Sequence, residues 1–417
     1  MNLKHIILLA CVAFTFNTFA QLSVSAELRP RSEFRNGYKT LISEGEDAAF
    51  FISQRTKLNT KYDTDKYTFF VSVQDVRTWG DVRQLNVSDN NGLGLHEAWG
   101  KINLGDFAIK AGRQEIKYDD QRMFGSVGWA QQGRSHDALL LKLFKNKFKM
   151  DVGLAYNQEG QKLFGTVYEL NNYKTFQYVW LHNQWSDFSA SLLILNNGIQ
   201  YVDPLNNGDD KVRFSQTIGT HLKANIIPEL KASVNLYYQT GKDAVDRDLS
   251  AFLAGVDLGY KIGNNTNVGL GFEMQSGNDY QTDLAEENKA FTPFYGTNHK
   301  FNGFMDYFYV GNHMNNVGLM DVYAKFNTKL YDKASLTAFV HNFSSQGQIS
   351  SDTDKQLGTE VDLVYKYKLS KDVGFGLGYS HMFAGDAMEV LKNKTDNGMN
   401  NWAWVMLTFK PTLFTIE

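Results

Sequence analysis

The sequence predicts an all-β protein: a transmembrane, antiparallel, up-and-down β-barrel of about 18 strands, with 16 as the alternative. Three observations carry this. First, residues 212–226, VRFSQTIGTHLKANI, place Val212, Phe214, Ile218, Leu222, Ala224 and Ile226 on one parity, and Arg213, Ser215, Thr217, His221, Lys223 and Asn225 on the other. Successive strand side chains point to opposite faces, so this pattern, recurring along the whole chain, asks for lipid on one face and water on the other. Second, the connections between alternating segments are short and long by turns. Third, beyond the amino terminus no run approaches the roughly 18–20 apolar residues of a membrane helix. Aromatics make up 14% of the chain, and 35 Gly stand against 5 Pro, a balance that favours strands.

The amino terminus reads MNLKHIILLACVAFTFNTFAQ, with Lys4, an apolar run from Ile6 to Phe16, and Thr18 and Ala20 at the −3 and −1 positions. Residues 1–20 are therefore expected to be a cleaved secretory signal peptide. Leu8-Leu9-Ala10-Cys11 loosely fits a lipoprotein box, but it leaves an apolar core shorter than the roughly 7–15 residues export needs. Cleavage after Ala20 removes Lys4 and Cys11, the only cysteine, so the net charge moves from −3 to −4 and no thiol chemistry remains. That balance gives no footing for nucleic acid.

Residues 21–417 then form one domain. Alternating segments begin near Leu22, Phe51, Tyr67, Leu95, Phe107, Ala138, Phe148, Lys174, Phe188, Val212, Leu230, Leu249, Asn267, Leu319, Ser335, Gly358, Val373 and Trp402. Tight turns are expected at residues 62–66, 105–106, 145–147, 186–187, 228–229, 263–266, 331–333 and 370–372. Long connections are expected at 39–48, 81–94, 118–137, 158–173, 196–211, 275–318 and 385–401. Strict alternation is the habit of outer-membrane barrels, whose periplasmic turns are short and whose outer loops are long. Tyr62, Tyr67, Trp79, Trp180, Trp185, Tyr237, Tyr238, Tyr260, Tyr379, Trp402 and Phe409 sit at predicted strand ends, as interfacial girdles require.

Parity also sorts the charges. With Leu22, Val24, Ala26 and Leu28 toward lipid, Glu27, Arg29, Arg31, Glu33 and Arg35 face the lumen. Arg55 and Lys57 follow, as do Lys101, Lys142, Lys149, Arg213, Lys223, Lys231, Lys325, Lys329, Lys366 and Lys368. Opposing them are Glu97, Asp151, Glu273, Asp321, Glu360 and Asp362. Cations outnumber anions on this face, so the acidic surplus belongs to loops at 43–47, 203–210 and 283–287. A wall lined mainly by one sign concentrates counter-ions, which favours anionic solutes. Some of these Arg and Glu are expected to pair across the wall as scaffolding.

Two outer loops are expected to fold inward as a constriction. The first interleaves Arg113, Arg122 and Arg134 with Tyr118, Phe124 and Trp129; guanidinium forks suit carboxylates and aromatic faces suit sugar rings. The second, FTPFYGTNHKFNGFMDYFYVGNHMNNVGL, carries Tyr295, His299, Phe301, Phe304, Asp306 and Tyr307 and is too apolar to remain in water. Catalysis has little support: His341, Ser380 and His381 could supply parts of an esterase site, and Asp306, His299 and His313 of a protease, but without informative spacing. Asp89 and Asp119-Asp120 resemble no dedicated calcium site. No cofactor, metal or catalytic group is expected.

The chain resembles the alginate-export family of outer-membrane porins, on ELRPRSEFRNGY from Glu27, SQRTKL from Ser53, GRQ from Gly112, DDQR from Asp119, GRSHDAL from Gly133 and YGTNHKFNGFMDYF from Tyr295. The resemblance implies an eighteen-stranded barrel whose arginines line a path for a polyuronate. Carried onto this sequence, Arg31, Arg55, Arg113, Arg122 and Arg134 would be substrate-facing. Arg113 shares its parity with Phe107, Ile109 and Ala111, so a bulge near Gly112 is needed to turn it inward. The expected function is a passive outer-membrane channel for anionic oligo- or polysaccharide, lined by Arg29, Arg31, Arg55, Lys57, Arg113, Arg122, Arg134, Arg213, Lys223 and Lys325. The alternatives are a porin for small anions such as phosphate or organic acids, or a non-conducting barrel adhesin. Its partners would be outer-membrane lipid and the anionic solute, with any periplasmic partner unidentified.

Overall fold

The computed structural model describes residues 20–85, 89, 92–166, 168, 172–203, 209–308, 316–396 and 398–416. Residues 1–19 of the predicted signal peptide, with the lipoprotein box, and His313 lie outside the described residues. One antiparallel sheet begins with β1 (Gln21–Asn36), β2 (Ala49–Asp63), β3 (Tyr67–Thr78), β4 (Gly94–Leu104), β5 (Phe107–Gln114), β6 (His136–Lys145) and β7 (Phe148–Tyr156). It continues through β8 (Tyr173–Gln184), β9 (Phe188–Asp203), β10 (Asp209–Asn225), β11 (Leu230–Lys242), β12 (Asp248–Ile262) and β13 (Thr266–Gln275). After the two-residue β14 (Glu287–Asn288) come β15 (Leu319–Tyr331), β16 (Ala334–Ser344), β17 (Gln356–Lys368), β18 (Val373–Ala384), β19 (Asn400–Phe409) and β20 (Thr412–Ile416).

Each strand pairs with its sequence neighbours, and β1 pairs with both β2 and β19, which closes the barrel. β20 continues β19 along the lower part of β1, and β14 is a bridge inside a loop, so the closed barrel has 18 strands. Closure leaves no unpaired edge in hydrocarbon, where unsatisfied backbone groups cost several kcal/mol each. Each of the eighteen predicted segment starts falls in a different barrel strand.

The burial pattern inverts that of a soluble sheet. Leu58, Phe69, Ile109, Ile194, Ile218, Leu270, Val322 and Val340 are exposed, while their strand neighbours on the other parity are buried or half-buried, Lys57, Lys110 and Asp321 among them. An apolar outer band with a polar interior is what lipid selects. On β10, Phe214 and Ile218 point out while Ser215, Thr217 and His221 are buried inside.

The alternation of connection lengths is less strict than expected. The predicted long connection at 196–211 is a strand hairpin: β9 and β10 stay paired up to Asp203 and Asp209, and residues 204–208 are not described. These strands outrun the roughly 9–11 residues needed to cross a bilayer, so their outer ends project as paired backbone. Likewise only residues 243–247 join β11 to β12.

The connections after β5 and β13 fold into the barrel and pack its interior. Ile116, Met123, Phe124, Phe291 and Tyr295 join wall residues Phe176, Tyr178, Trp180 and Leu195 in one apolar cluster. Met305, Tyr307, Phe308 and Val317 join Phe343, Trp402 and Trp404 in a second. The two loops meet at a bridge between Phe124 and Tyr295. The long loop is pinched at its neck, where a Cβ on Gly277 would lie 1.8 Å from the Gly318 nitrogen, so only glycine lets the two passes of chain cross.

Candidate functional site

The lumen is built by the inward residues of the staves and by these two loops. Arg29, Arg31 and Arg55 point inward as predicted, but they do not line an open path. Each is at least nine-tenths buried, with relative exposures of 7%, 4% and 5%. Arg29 donates to the carbonyls of Gly128, Trp129 and Ala130 at 2.8, 3.1 and 3.2 Å, and to Gln131 Oε1 at 3.1 Å. Arg31 donates to Glu33 and to the Trp129 carbonyl. Arg55 bonds Glu27 and the Gln131 carbonyl. A guanidinium fork satisfies several acceptors at once, so three wall arginines clamp residues 128–131 by backbone oxygens that water no longer reaches. These three arginines, expected to meet substrate, direct their donors to the loop.

Opposite chemistry holds the second loop. Glu360 and Asp362, fully buried on β17, accept the N–H groups of Met305 at 2.8 Å and Phe304 at 3.4 Å. Arg122 is 1% exposed and donates to Glu273 and to Asn302 Oδ1, with its guanidinium 4.4 Å from the Phe301 ring centre. It too is a tie between loop and wall. Arg134 donates to the Gly296 carbonyl at 2.9 Å and so ties one loop to the other.

The aromatic residues expected at the constriction divide into two groups. Tyr118 stacks on Trp180 at 4.4 Å and donates to Asp151 at 2.6 Å, and Tyr295 stacks on Phe124 at 5.2 Å. Burial pushes the Tyr118 phenol well above its ordinary range. Around the β19 wall, Trp129 stacks on His299 at 4.9 Å and meets Trp404 edge-on at 4.9 Å. His299 Nδ1 lies 2.9 Å from Asp306, Tyr38 donates to the same carboxylate at 2.5 Å, and Phe304 packs on His299. Tyr307 donates to the Gly37 carbonyl at 2.6 Å.

Arg113 is the clearest misplacement. No register shift interrupts β4 and β5, so Arg113 keeps the outward parity of Phe107 and Ile109 despite the positive φ of Gly112. It pairs with exposed Asp137 at 2.9 Å. The bulge lies instead in β4, between Leu95 and Glu97, and it turns His96 inward. His96, Glu97 and Glu115 thereby bring three ligand-capable atoms within 4.8 Å of one another. Each is already engaged: Glu115 bonds His96 and Lys117 at 2.9 and 2.8 Å, and Glu97 accepts the Glu115 and Trp99 N–H groups. Burial favours the neutral Glu115 carboxyl, yet the bonds from His96 and Lys117 prevail and hold it down at about 2.

The other candidate sites are likewise occupied by protein partners. Asp89 pairs with Arg77, Asp119 accepts from Trp180 and Ser191, and Asp120 accepts from Asn235. Ser380 donates to Asp362, not to a histidine, and His381 packs beside Phe383.

Below the loops the wall belongs to lysine. Lys57, Lys101, Lys110, Lys142, Lys149, Lys223, Lys231, Lys261, Lys325, Lys329, Lys366 and Lys368 share the inward register on strands around the barrel. Lys142 bonds Asp151, and Lys325 bonds Asp257 at 2.5 Å. The others make no ion pair among the described residues. Lys223, Lys231, Lys261 and Lys325 line a hollow of about 690 Å³ together with Asn267, Asn327, Glu229 and Asp257, the last already bonded to Lys325. Arg213 sits at the opposite, outer end of β10, bonded to Asp246 at 2.7 Å. Lys110 and Lys261 were not singled out from sequence, although their parity with Ala108 and Gly259 carries the signal.

In sequence, the family described as alginate export matches residues 20–403. None of the curated proteins matches. In structure, the chain is similar to OccK8 (OprE) of Pseudomonas aeruginosa, with a TM-score of 0.63 at 10% identity over 94% of this chain and 98% of that one. A BenF-like porin from Pseudomonas fluorescens Pf-5 gives 0.63 at 9% identity, covering 94% and 99%. OpdK of Pseudomonas aeruginosa, solved with vanillate, gives 0.58 at 10%, covering 94% and 99%. At these identities the likeness shows the fold alone, a closed antiparallel barrel; the family match makes it an outer-membrane porin channel and not an enzyme. With its family pattern running through nearly the whole chain, the protein belongs to the alginate-export family.

Proposed function

We propose that this porin passes anionic oligosaccharide of the polyuronate type by passive diffusion, and that lysine, not arginine, supplies the attraction. The observation that carries this reading is the lysine-lined lower lumen, where inward Lys57, Lys101, Lys110, Lys149, Lys223, Lys231 and Lys261 have no carboxylate in ion-pair contact among the described residues. Flexible ammonium groups on a low-dielectric wall form a diffuse attractive field, which suits a moving ligand better than rigid bidentate clamps. Membership of the alginate-export family supports uronate as the sugar.

The test is block of single-channel current by a panel of oligosaccharides. Oligouronates should interrupt the current at concentrations where neutral oligosaccharides of equal length do nothing; equal block by both would contradict the proposal. A second reading, a porin for small carboxylates, is favoured by the packing of two loops into the lumen and by the neighbour solved with vanillate. It predicts block by aromatic or aliphatic monocarboxylates and none by oligouronates.

A further inference from the structure

The lysine lining is not uniform around the barrel. On β15 to β19, at the end that carries the short turns, Lys329, Lys333, Lys366, Lys368, Lys371 and Lys410 line one hollow of about 540 Å³, with Asp332 and Asp372 as the two carboxylates on its turn edge. Short turns mark the periplasmic side of an outer-membrane barrel, so this hollow opens to the periplasm. Its shape follows from sequence. Lys329 pairs across Ser335 to Lys366, then to Gly376 and Met406, so all lie on one inward cross-strand row. Lys329 and Lys366 are therefore two strand spacings, about 10 Å, apart. Lys368 lies one inward position further along β17, opposite Gly374.

The two glycines remove the wall's side chains where the lysines converge. A Cβ at Gly374 would meet nothing within 4 Å, and one at Gly376 would touch the Trp404 ring at 3.0 Å. The result is a floor of bare backbone at Gly374, covered by the buried Trp404 ring at Gly376, and edged by six lysines against two aspartates. Lys410 is bonded to Glu27 at 3.3 Å, but Lys329, Lys366 and Lys368 are exposed and make no ion pair among the described residues.

We propose that this hollow is an entry subsite for anionic oligosaccharide on the periplasmic face, where neighbouring carboxylates meet Lys329, Lys366 and Lys368. Among the inward arginines, Arg29, Arg31, Arg55 and Arg122 are consumed by the loops. Affinity is thus built asymmetrically into a passive pore. The inference rests on the reading of the channel as one for anionic sugar chains.

The test uses full-length protein inserted in one orientation in a planar bilayer, with tetragalacturonate added to one side at a time. Block from the periplasmic side should need about tenfold less sugar than block from the outer side. The double variant Lys366→Gln/Lys368→Gln should bring the two sides together, and Gly374→Glu, which adds a carboxylate where there is room, should do the same. Block equal from both sides in the unaltered protein would overturn the subsite while leaving the channel reading intact. Asymmetry that survives both variants would overturn it too, as would the same asymmetry with sulfate alone. No block from either side would overturn the channel reading and the subsite together.

Discussion

The Arg31 guanidinium lies 4.0 Å from the centre of the Trp129 indole while donating 2.8 Å to the carbonyl of that same residue. A wall cation thus grips one loop residue by its ring face and its backbone together, inside the barrel and beside the equally buried Glu33. Removing Arg31 leaves Glu33 without one partner in a site that water does not reach. Arg31→Ala should therefore destabilise the protein by about 3–5 kcal/mol, the usual cost of breaking a buried ion pair. Arg31→Lys should restore little of this, since an ammonium cannot bond both acceptors and stack. Thermal unfolding of the two variants in detergent checks both statements, and full rescue by lysine would contradict the clamp.

The second loop depends on carboxylates. Asp362→Ala removes the acceptor for the Phe304 N–H and for Ser380 Oγ at 2.5 Å. Leaving such groups unpaired costs about 1–3 kcal/mol. The loss should appear locally, as faster amide exchange across residues 298–308, with strands far from β17 unchanged. Uniformly faster exchange throughout the barrel would show instead that Asp362 supports the wall.

Lys392, at the end of the short helix Asp386–Lys392, docks against the second loop by donating to the Tyr307 carbonyl, with the Phe308 ring 5.9 Å away. Burial pushes its ammonium down from the ordinary 10.5 to about 7. Between about pH 7 and 10.5 the unfolded chain holds the proton more strongly than the folded one, so stability should rise with pH, by at most about 1.4 kcal/mol per unit. Below about 7 both states are protonated and the slope should vanish. Lys392→Met should flatten the rise, which melting curves across this window would reveal; an unchanged slope would exclude Lys392 as its source.

Arg113 supplies the contrast. Its pairing with Asp137 is exposed and outward-facing, so Arg113→Ala should change stability by no more than about 1 kcal/mol and leave ion selectivity untouched. A shift in reversal potential on this substitution would place Arg113 in the ion path after all.

Much of this architecture could be read from residue parity. Alternation in β10 separated Phe214 and Ile218 from Thr217 and His221, and the same rule put Arg113 with Ile109 on the outer face. Parity says which way a side chain points but not what it meets there. Arg29, Arg31 and Arg55 find the carbonyls of residues 128–131, 99, 98 and 76 positions away, only because that loop folds inward, a long-range contact with no local signature. The extended hairpin of β9 and β10 was missed for a related reason. Polar residues such as Asn196 and Asn197 read as loop when they stand above the membrane in paired strands. The short arginine-containing motifs behind the resemblance hold Arg29, Arg31, Arg55, Arg122 and Arg134, and all five bond within the loop scaffold.

In the proposed function, lysines below the loops set the charge preference of the pore. Reversal potential in a potassium chloride gradient measures this most directly, comparing the unaltered protein with the triple variant Lys223→Gln/Lys231→Gln/Lys261→Gln. The unaltered channel should prefer chloride, and the variant should shift markedly toward potassium while folding normally. A variant with an unaltered chloride preference, or an unaltered channel that prefers potassium, would contradict the claim.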